Sequence, residues 1–500
     1  MGITTFRFFC FLGIASILYY LVRPRQQWKI LLLANIVFYI GSGQNKLNWF
    51  ILFTSLSVYF GAMAIEGTKH KSLAFYSTLA LNLGFLIYFK YFNFFIQELI
   101  NPFLNTHHLW YNILMPVGIS FYTLQTLGYL IDIKREMYPA ERNYGRFFLF
   151  ATFFPTVLQG PIHKHQDLQS QLFAHHQFDW QRYCFGIQRI LWGLFKKLVI
   201  ADRLALFVDP VFADPQYNVG WIMVLAIVAF AIQLYADFSG CMDIVIGAGE
   251  MFGIKMTENF RAPFFSRSIQ EYWQRWHITL GIWLKEYILY SVMKSNWLQK
   301  LTSWNKERFG KKAGNKISTY MALFILWFVV GFWHGASWNF IIGTGLLHWF
   351  YITFGDVAMP WRKKAVEKLK INTEAFSFKA MQIVRTFIFV CIGFVFFRTK
   401  TLADAGNVFK SITFDNNFWI FFDGELLEFM NKQDWTLVIC ATIVLFTADT
   451  MRLKVSLREK IAELDIVSRW FIYFTALFSV VIFGMYGPGY DVKKFIYGAF

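Results

Sequence analysis

The stretch TYMALFILWFVVGFWHGASWNFIIGTGLL, residues 319–347, decides the fold class of this chain. It carries no charged residue and a single histidine, His334. A helix needs about 20 predominantly apolar residues to cross the hydrocarbon core of a bilayer, so the stretch predicts two adjacent membrane helices that meet at His334. Basic clusters at 294–316 and 362–379 flank it. Positively charged loops stay in the cytoplasm, which predicts a hairpin with both ends cytoplasmic.

The rest of the chain has the same character. Hydrophobic residues make up 56% of the 500 positions, aromatic residues 21% and charged residues only 16%. The apolar residues form long blocks, which indicates an all-α polytopic membrane protein. We expect one multi-pass domain over residues 1–500, with ten to thirteen crossings of the cell membrane. The blocks lie near 4–22, 28–42, 48–64, 73–92, 112–131, 146–160, 184–200, 219–236, 318–333, 337–354, 381–397, 436–449 and 467–486.

The formal net charge of +17 follows from membrane topology. The basic residues lie in short segments between the apolar blocks and not on one soluble face, so the pattern does not indicate nucleic-acid binding. The cluster at 452–460 is predicted to be cytoplasmic, whereas the acidic stretch 401–435 is predicted to be external. More polar segments at 92–112, 161–183, 254–276 and 294–317 interleave aromatic and basic residues, which is typical of helices lying in the membrane interface.

Two histidines stand in apolar sequence, His334 in GFWHGAS and His277 in QRWHITL. An ionisable residue at membrane depth is costly and marks a functional site by default. A neutral imidazole is a good general base near neutral pH, which suits removal of a proton from a hydroxyl. The alternative is a purely structural hydrogen bond between helices. Gly331 and Gly335 beside His334 predict close approach of a neighbouring helix or a substrate.

Polar residues accumulate in the central third of the chain. This density favours a lined cavity, because each polar group at membrane depth needs a partner. In the alternative interpretation the carboxylates are structural and pair with Arg261 or Arg275. The set is Gln233, Asp237, Ser239, Asp243, Glu250, Asn259, Arg261, Glu271, Arg275 and His277.

The sequence predicts no metal site. The five cysteines are scattered without a CxxC spacing and are expected to be small buried hydrophobes. His163 and His165 could chelate, but no nearby acid or cysteine completes a site. His348 is expected to be a core residue.

Eight segments in order resemble the membrane-bound O-acyltransferase family, in the bacterial branch typified by the alginate O-acetylation and teichoic acid D-alanyl transfer proteins. The resemblance runs almost from end to end of the chain. The segments are YFKYFNFF from 88, MPVGISFYTLQTLGYLID from 115, FFPTVLQGPI from 153, GLFKKLVIADRLA from 193, YADFSGCMDIVIGAGEMFGI from 235, ENFRAPFFSRSIQEYWQRWHITLGIWLKEYI from 258, GFWHGASWNFIIGTGLLH from 331 and GFVFFR from 393.

The resemblance implies a ring of about 11 transmembrane helices, with re-entrant and interfacial helices, around a central funnel. The catalytic core would cover about 115–355. Funnels from both faces would meet at His334, the catalytic histidine of the WHG motif, with His277 as the second residue needed for activity. The implied reaction moves an acyl group, most simply acetyl, from a cytoplasmic thioester to hydroxyls of an extracytoplasmic polysaccharide. The donor would be acetyl-CoA or an acyl carrier protein thioester, with no tightly bound cofactor, and an extracytoplasmic acyltransferase protein would be the partner.

In the expected mechanism His334 removes the proton from the attacking hydroxyl. The tetrahedral oxyanion then needs donors already in place, and His277, Asn259 or Trp276 could supply them or orient the donor. Alternatives are a covalent acyl group on His334 or Ser337, D-alanyl transfer from a carrier protein toward teichoic acid, and a transporter or flippase. Further candidates for lining the substrate tunnel are Trp333, Ser337, Asp237 and Asp243.

Overall fold

A computed structural model describes residues 2–41, 47–104, 111, 113–157, 159–335, 337–487 and 496. The described residues are mostly helical, and the one β contact among them is an isolated bridge between Phe260 and Trp276. The longer helices are Phe6–Leu21, Gln27–Ile40, Asn48–Gly67, Lys71–Leu86, Ile119–Lys134, Trp180–Leu194, Asp202–Ala213, Trp221–Met251, Asn296–His334, Leu347–Val357, Phe376–Arg398, Leu402–Phe414, Lys432–Arg452 and Ile466–Phe483.

Shorter elements connect these helices or extend them. Wide π-helical turns occur at Ile87–Tyr91, Ile96–Ile100, Phe195–Ala201, Lys285–Leu289 and Phe340–Leu346. The short α-helices are Phe92–Phe95, Asn101–Leu104, Tyr144–Thr152, Phe154–Val157, His165–Leu172, Ile269–Arg275, Ile278–Leu284, Tyr290–Lys294, Met359–Lys368, Leu426–Phe429 and Leu457–Ala462, and 3₁₀ turns lie at Pro24–Gln26, Pro263–Phe265 and Phe418–Phe421.

The helical membrane fold predicted from the sequence is confirmed. Among the described residues, eight helices are long and apolar enough to cross a bilayer, and Phe6–Leu21 is a shorter apolar helix. The expected ten to thirteen crossings include shorter apolar blocks as well, and that number stays a prediction. His107 and His108, in the predicted interfacial segment 92–112, lie outside the described residues.

The helix Trp221–Met251, here the central helix, forms the middle of the fold. Of its most apolar stretch 78% is buried, against 6% for the helix Ile466–Phe483. The central helix runs antiparallel to the lysine helix, which we define as Trp180–Leu194 continued by the turn Phe195–Ala201. Glycines make this approach close, since a Cβ on Gly240 would lie 2.9 Å from the carbonyl oxygen of Gly193. Small residues of this kind allow membrane helices to pack backbone against backbone.

The helix Asn296–His334, here the WHG helix, bends at Gly310, where φ is 79°. Its first part folds back on the second, because a Cβ on Gly314 would lie 2.5 Å from the backbone nitrogen of Lys306. The Asn305 side-chain amide also donates to Ser318 Oγ at 3.2 Å. The polar segment 294–317 is therefore a helix of its own that turns into the membrane helix.

The predicted hairpin at His334 is present. The WHG helix ends at His334, Gly335 is extended, and the chain re-enters a helix through the turn Phe340–Leu346. The two arms touch at glycines: a Cβ on Gly331 would lie 2.6 Å from the Phe340 carbonyl oxygen, and one on Gly345 would lie 2.5 Å from that of Trp327. Close packing of the arms thus fixes where His334 sits.

Candidate active site

His277 begins the helix Ile278–Leu284 with a left-handed backbone, φ 47° and ψ 52°. This conformation is uncommon for a residue with a Cβ and indicates a local constraint. The constraint comes from Asn259, whose carbonyl oxygen accepts a hydrogen bond from the Ile278 backbone N–H at 3.0 Å. The bridge between Phe260 and Trp276 holds the same two segments together. The side chain of His277 is thereby held in the interior, where it is 1% exposed.

The side chain of Asn259 organises this segment further. Its Oδ1 accepts from the Thr279 backbone N–H at 2.9 Å and from Thr279 Oγ–H at 3.0 Å. His277 Nδ1 lies 3.4 Å from the same oxygen. An amide oxygen can only accept, so this contact requires the Nδ1–H tautomer and leaves Nε2 as the acceptor nitrogen of the ring. Asn259 therefore sets both the position and the tautomer of His277.

Trp333 contacts both histidines. Its ring centroid is 5.0 Å from that of His334 and 6.1 Å from that of His277. Phe121 lies 6.0 Å from Trp333, and Phe238 packs edge-on against His277 at 4.9 Å. His334 is 4% exposed. Two imidazoles from distant parts of the sequence thus share one aromatic enclosure.

Lys90 binds the end of the WHG helix. Its Nζ donates to the Trp333 carbonyl oxygen at 2.5 Å and lies 5.2 Å from the Trp333 ring centroid. Carbonyls at a helix C-terminus lack intrahelical partners and carry partial negative charge, so a cation is favourable there. The Tyr91 hydroxyl donates to the same carbonyl at 3.4 Å. Lys90 stands inside the YFKYF motif, but the sequence did not show which carbonyl it binds.

A polar cavity of about 210 Å³ reaches the histidine segment from one side. Asn259 is one of its walls, so the cavity ends beside the residue that orients His277. The other walls are mostly charged, and they come from the lysine helix, the central helix and the end of the helix Lys432–Arg452. We call it the polar chamber; its charged walls are Arg189, Lys196, Asp243, Glu258, Arg261, Asp449 and Arg452.

Asp243, a predicted tunnel residue, is held by two buried cations. Arg189 Nε donates to Asp243 Oδ1 at 2.9 Å, and Lys196 Nζ lies 2.5 Å from Oδ2. Arg189 also binds Glu258 with distances of 2.7 and 2.5 Å. Glu250 pairs mainly with Arg458, at 2.5 Å.

The expected partners Arg261 and Arg275 were therefore wrong. Arg275 pairs instead with Glu271 at 2.5 Å, within its own short helix. The Arg261 backbone N–H donates to the Arg275 carbonyl oxygen, and Arg261 lines the polar chamber. The physical reason is that the antiparallel lysine helix brings cations to the central helix from a distant part of the sequence. The signal was available in GLFKKLVIAD, where two adjacent lysines stand in an apolar helix.

Asp237 is also ion-paired. Lys197 Nζ donates to its Oδ1 at 2.7 Å, and Lys197 also contacts Asp202 at 2.8 Å. The backbone N–H of Ile496 donates to Asp237 Oδ2 at 2.8 Å. Asp237 therefore joins the lysine helix, the central helix and Ile496.

Trp276 and Ser337 make no ring contact or hydrogen bond with Trp333 among the described residues. The Trp276 indole stacks on Tyr272 at 5.5 Å and packs edge-on against Phe260 at 5.0 Å. Ser337 is partly exposed in the connection after His334, and its backbone N–H donates to the Gly335 carbonyl oxygen. These contacts give Trp276 a packing role and make Ser337 part of the turn.

The other histidines have contacts that differ from those of His277 and His334. His163 uses both ring nitrogens, since Nδ1 pairs with the Pro161 carbonyl oxygen at 2.9 Å and Nε2 accepts from the Thr257 backbone N–H at 3.1 Å. His165 packs on Tyr129 with centroids 4.7 Å apart. His348 packs edge-on against Trp273 at 4.9 Å and is buried, as expected for a core residue.

Comparison with known proteins identifies relatives of this chain. The profile of the MBOAT, membrane-bound O-acyltransferase family, matches residues 142–303. The probable alginate O-acetylase AlgI of Pseudomonas syringae pv. tomato is 34% identical over 450 residues, which covers 87% of this chain and 78% of that protein. The peptidoglycan O-acetyltransferase of Helicobacter pylori is 31% identical over 415 residues, covering 76% of this chain and 73% of that protein.

A third relative belongs to the other arm of the branch. The teichoic acid D-alanyltransferase of Bacillus subtilis is 27% identical over 305 residues, covering 60% of this chain and 73% of that protein. The apolar helices and these similarities indicate the same class of protein. The chain is therefore a multi-pass membrane acyltransferase and belongs to the membrane-bound O-acyltransferase family.

Proposed function

We propose that this protein transfers acetyl groups from a cytoplasmic thioester across the cytoplasmic membrane toward an extracytoplasmic polysaccharide. The observation that carries the proposal is the placement of His277 and His334 against one ring, that of Trp333, next to a polar chamber that ends at Asn259. The names of two relatives, an alginate O-acetylase and a peptidoglycan O-acetyltransferase, support acetyl as the group and a polysaccharide as the acceptor.

His334 is the general base in this proposal. Its imidazole takes the proton of the acceptor hydroxyl while the hydroxyl oxygen attacks the thioester carbonyl carbon. The tetrahedral intermediate collapses with cleavage of the carbon–sulfur bond, and the proton passes from His334 to the departing thiolate. The products are an ester and a free thiol, so atoms and charges balance. His277 is oriented by Asn259 and positions the reacting groups.

The polar chamber is the proposed entrance for the donor. Arg261 and Arg452 line it, and within the described part of the chain the one contact of their guanidinium groups with a carboxylate is that of Arg452 with Asp243, at 3.9 Å. Guanidinium groups bind phosphates well, which suits the phosphates of coenzyme A or of a carrier-linked phosphopantetheine. Arg452 also begins the basic cluster that the positive-inside rule places in the cytoplasm. Acetyl-CoA is the preferred donor, and a carrier protein thioester is the alternative.

We infer that the acetyl group reaches the polysaccharide either directly or through an extracytoplasmic acyltransferase protein that completes the modification. This chain would then move the acyl group across the membrane, while the donor and the acceptor each stay on their own side of the bilayer. D-alanyl transfer is the second candidate function, and the relative named teichoic acid D-alanyltransferase supports it.

The test uses the purified protein in nanodiscs with radiolabelled acetyl-CoA, measuring thiol release and label transfer to a small polysaccharide fragment. His334→Ala is expected to abolish transfer while the protein remains folded. His348→Leu removes another buried histidine and is the matched control, which we expect to retain activity. Substantial transfer by His334→Ala would refute the general-base role. Label trapped covalently on the wild-type protein would favour the acyl-enzyme route. If the protein is active only with a D-alanyl carrier protein, that carrier and not acetyl-CoA is the donor.

A further inference from the structure

A second cavity, of about 450 Å³, lies between the lysine helix and the helices Lys432–Arg452 and Ile466–Phe483. Ligand sites commonly enclose about 300 to 1,000 Å³. Its walls are mostly apolar, and the helix Ile466–Phe483 that closes it is almost entirely on the outside of the fold. We call it the lateral groove; apolar walls include Leu191, Phe195, Val444, Ala448, Phe471 and Ala476.

The lateral groove has one cationic end and one apolar end. Arg452 and Arg458 line the first, and Val444 lies two turns down the same helix as Arg452. At 1.5 Å per residue the distance from Val444 to Arg452 along the helix is about 12 Å. By the positive-inside prediction the arginine end faces the cytoplasmic headgroup layer, so the groove runs from that layer toward the hydrocarbon.

Arg452 has binding capacity that the protein does not use. Its nearest carboxylate is Asp243, at 3.9 Å, which is beyond hydrogen-bond distance. In the part of the chain that the structure describes, its guanidinium makes no hydrogen bond, and its side chain is 34% exposed. Arg458 at the same end differs, because it binds Glu250 at 2.5 Å and the Phe185 carbonyl oxygen at 3.1 Å. Arg452 is thus the cation available to a ligand in the groove.

A second polar group in the wall also lacks a partner. Trp192 Nε1 is shielded from solvent and finds no acceptor among the described residues. A buried donor without an acceptor costs free energy, so a rotation of the indole that exposed Nε1 to the groove would let a ligand oxygen accept from it. Trp192 lies about one turn beyond Arg189 on the lysine helix, and Arg189 shares the arginine end of the groove. The unused donor is therefore deeper in the membrane than the unused cation.

We infer that the lateral groove binds one anionic glycerophospholipid of the cytoplasmic leaflet. The headgroup phosphate pairs with Arg452, and an acyl chain lies along Phe195, Ala448 and Ala476. The Trp192 indole turns toward the groove, and its Nε1–H donates to an ester carbonyl oxygen. The order of these groups matches a lipid, in which the phosphate precedes the glycerol esters and the chains. Anionic lipids are concentrated in the cytoplasmic leaflet and are attracted to juxtamembrane arginines. The inference concerns binding only and does not rest on the proposed acyl transfer.

The lipid would also have a structural consequence. Arg189 and Arg452 are walls of both the lateral groove and the polar chamber. A bound lipid would therefore close the side of the chamber that faces the bilayer. With Arg452 paired to the lipid phosphate, Arg261 would be the guanidinium left for the phosphates of the donor.

The test measures lipid binding to the purified full-length protein by native mass spectrometry and by the shift in unfolding temperature. Phosphatidylglycerol and phosphatidylcholine with identical acyl chains are compared. We expect tighter retention of phosphatidylglycerol by the wild type. Arg452→Gln should weaken it about tenfold or more, since hydrogen bonds between charged groups are among the strong ones. Lys454→Gln removes an exposed charge two residues away, outside the groove, and should leave binding unchanged.

Two further variants separate the parts of the site. Trp192→Phe keeps the ring and removes the donor, and should weaken lipid retention by a smaller factor. Ala476→Trp fills the groove without changing charge, and should remove the difference between the two lipids. Millimolar inorganic phosphate should not stabilise the wild type, whereas stabilisation equal to that by lipid would indicate a simple anion site and overturn the inference. Equal retention of the two lipids by the wild type, or equal behaviour of Arg452→Gln and Lys454→Gln, would also overturn it.

Discussion

Replacing Gly331 with alanine should test whether the glycine contact in the WHG hairpin positions His334. A Cβ at this position would lie 2.6 Å from the Phe340 carbonyl oxygen and 2.8 Å from Ile341 Cα, whereas ordinary contact begins at 3.4 Å. The arms of the hairpin must therefore separate by up to about 0.8 Å. Both atoms belong to the backbone, so no side chain can rotate away. Gly331 is less than one helical turn before His334, and the displacement reaches the imidazole directly.

A misplacement of about 1 Å at a reacting group can cost on the order of 10²-fold in rate. We expect Gly331→Ala to lower kcat for acyl transfer by about 10- to 100-fold. Overpacking typically costs about 1 to 3 kcal/mol, so the protein should still fold. The control is Gly355→Ala in the helix Leu347–Val357, where nothing lies within 4 Å of an added Cβ.

The assay compares both variants with the wild type for thiol release from acetyl-CoA, after size-exclusion chromatography and a thermal unfolding scan have shown that they are folded. Gly355→Ala should match the wild type. If Gly331→Ala is folded and stays within twofold of the wild-type rate, the spacing of the hairpin arms does not position His334 and the reasoning fails.

Three other changes probe the site. Asn259→Ala leaves the Thr279 N–H and hydroxyl without their shared acceptor, so the free energy of unfolding should fall by about 2 to 4 kcal/mol and acyl transfer should be lost. A thermal unfolding scan and a rate measurement check the two effects, and wild-type activity of the variant would contradict the prediction. Lys90→Met removes the cation on the Trp333 carbonyl oxygen and should reduce the rate about tenfold or more with a small change in melting temperature; an unchanged rate would show that the helix end needs no cation. Asp243→Asn leaves Arg189 and Lys196 without one of their carboxylates and should lower the free energy of unfolding by about 3 to 5 kcal/mol. The measurement is the unfolding temperature, and the control is Glu463→Gln, which breaks the exposed pair with Lys460 and should show no measurable change. Equal effects of the two variants would contradict the buried network.

The sequence predicted the features that depend on local pattern. Absence of charge over 319–347, with basic clusters on both sides, was enough to predict a hairpin with His334 at its turn, because the cost of charge in hydrocarbon acts residue by residue. The same argument singled out His277. It also placed Gly331 and Gly335 at a close contact, and a Cβ on Gly335 would indeed lie 2.3 Å from the Phe340 ring.

Features that depend on which helices pack together could not be predicted in this way. In the structural alternative Asp243 would pair with Arg261 or Arg275, but its partners Arg189 and Lys196 come from another helix. The contact of Lys90 with Trp333 spans 243 positions. Hydrophobic periodicity says which residues face inward without saying which helix they meet. The catalytic roles of His334 and His277 stay predictions, and their common contact with Trp333 is the geometry that supports them.

Two neighbouring lysines on one helix hold two separated carboxylates of another. Lys196 binds Asp243, and Lys197 binds Asp237. Successive residues of a helix point in different directions around its axis, so the two ion pairs join the helices from different directions and at different heights. A single pair would allow the helices to swivel around it, whereas two such pairs oppose both sliding and rotation. The middle of this enzyme is therefore built as a rigid frame, and any movement needed to admit a donor or release a product must take place in the elements around it.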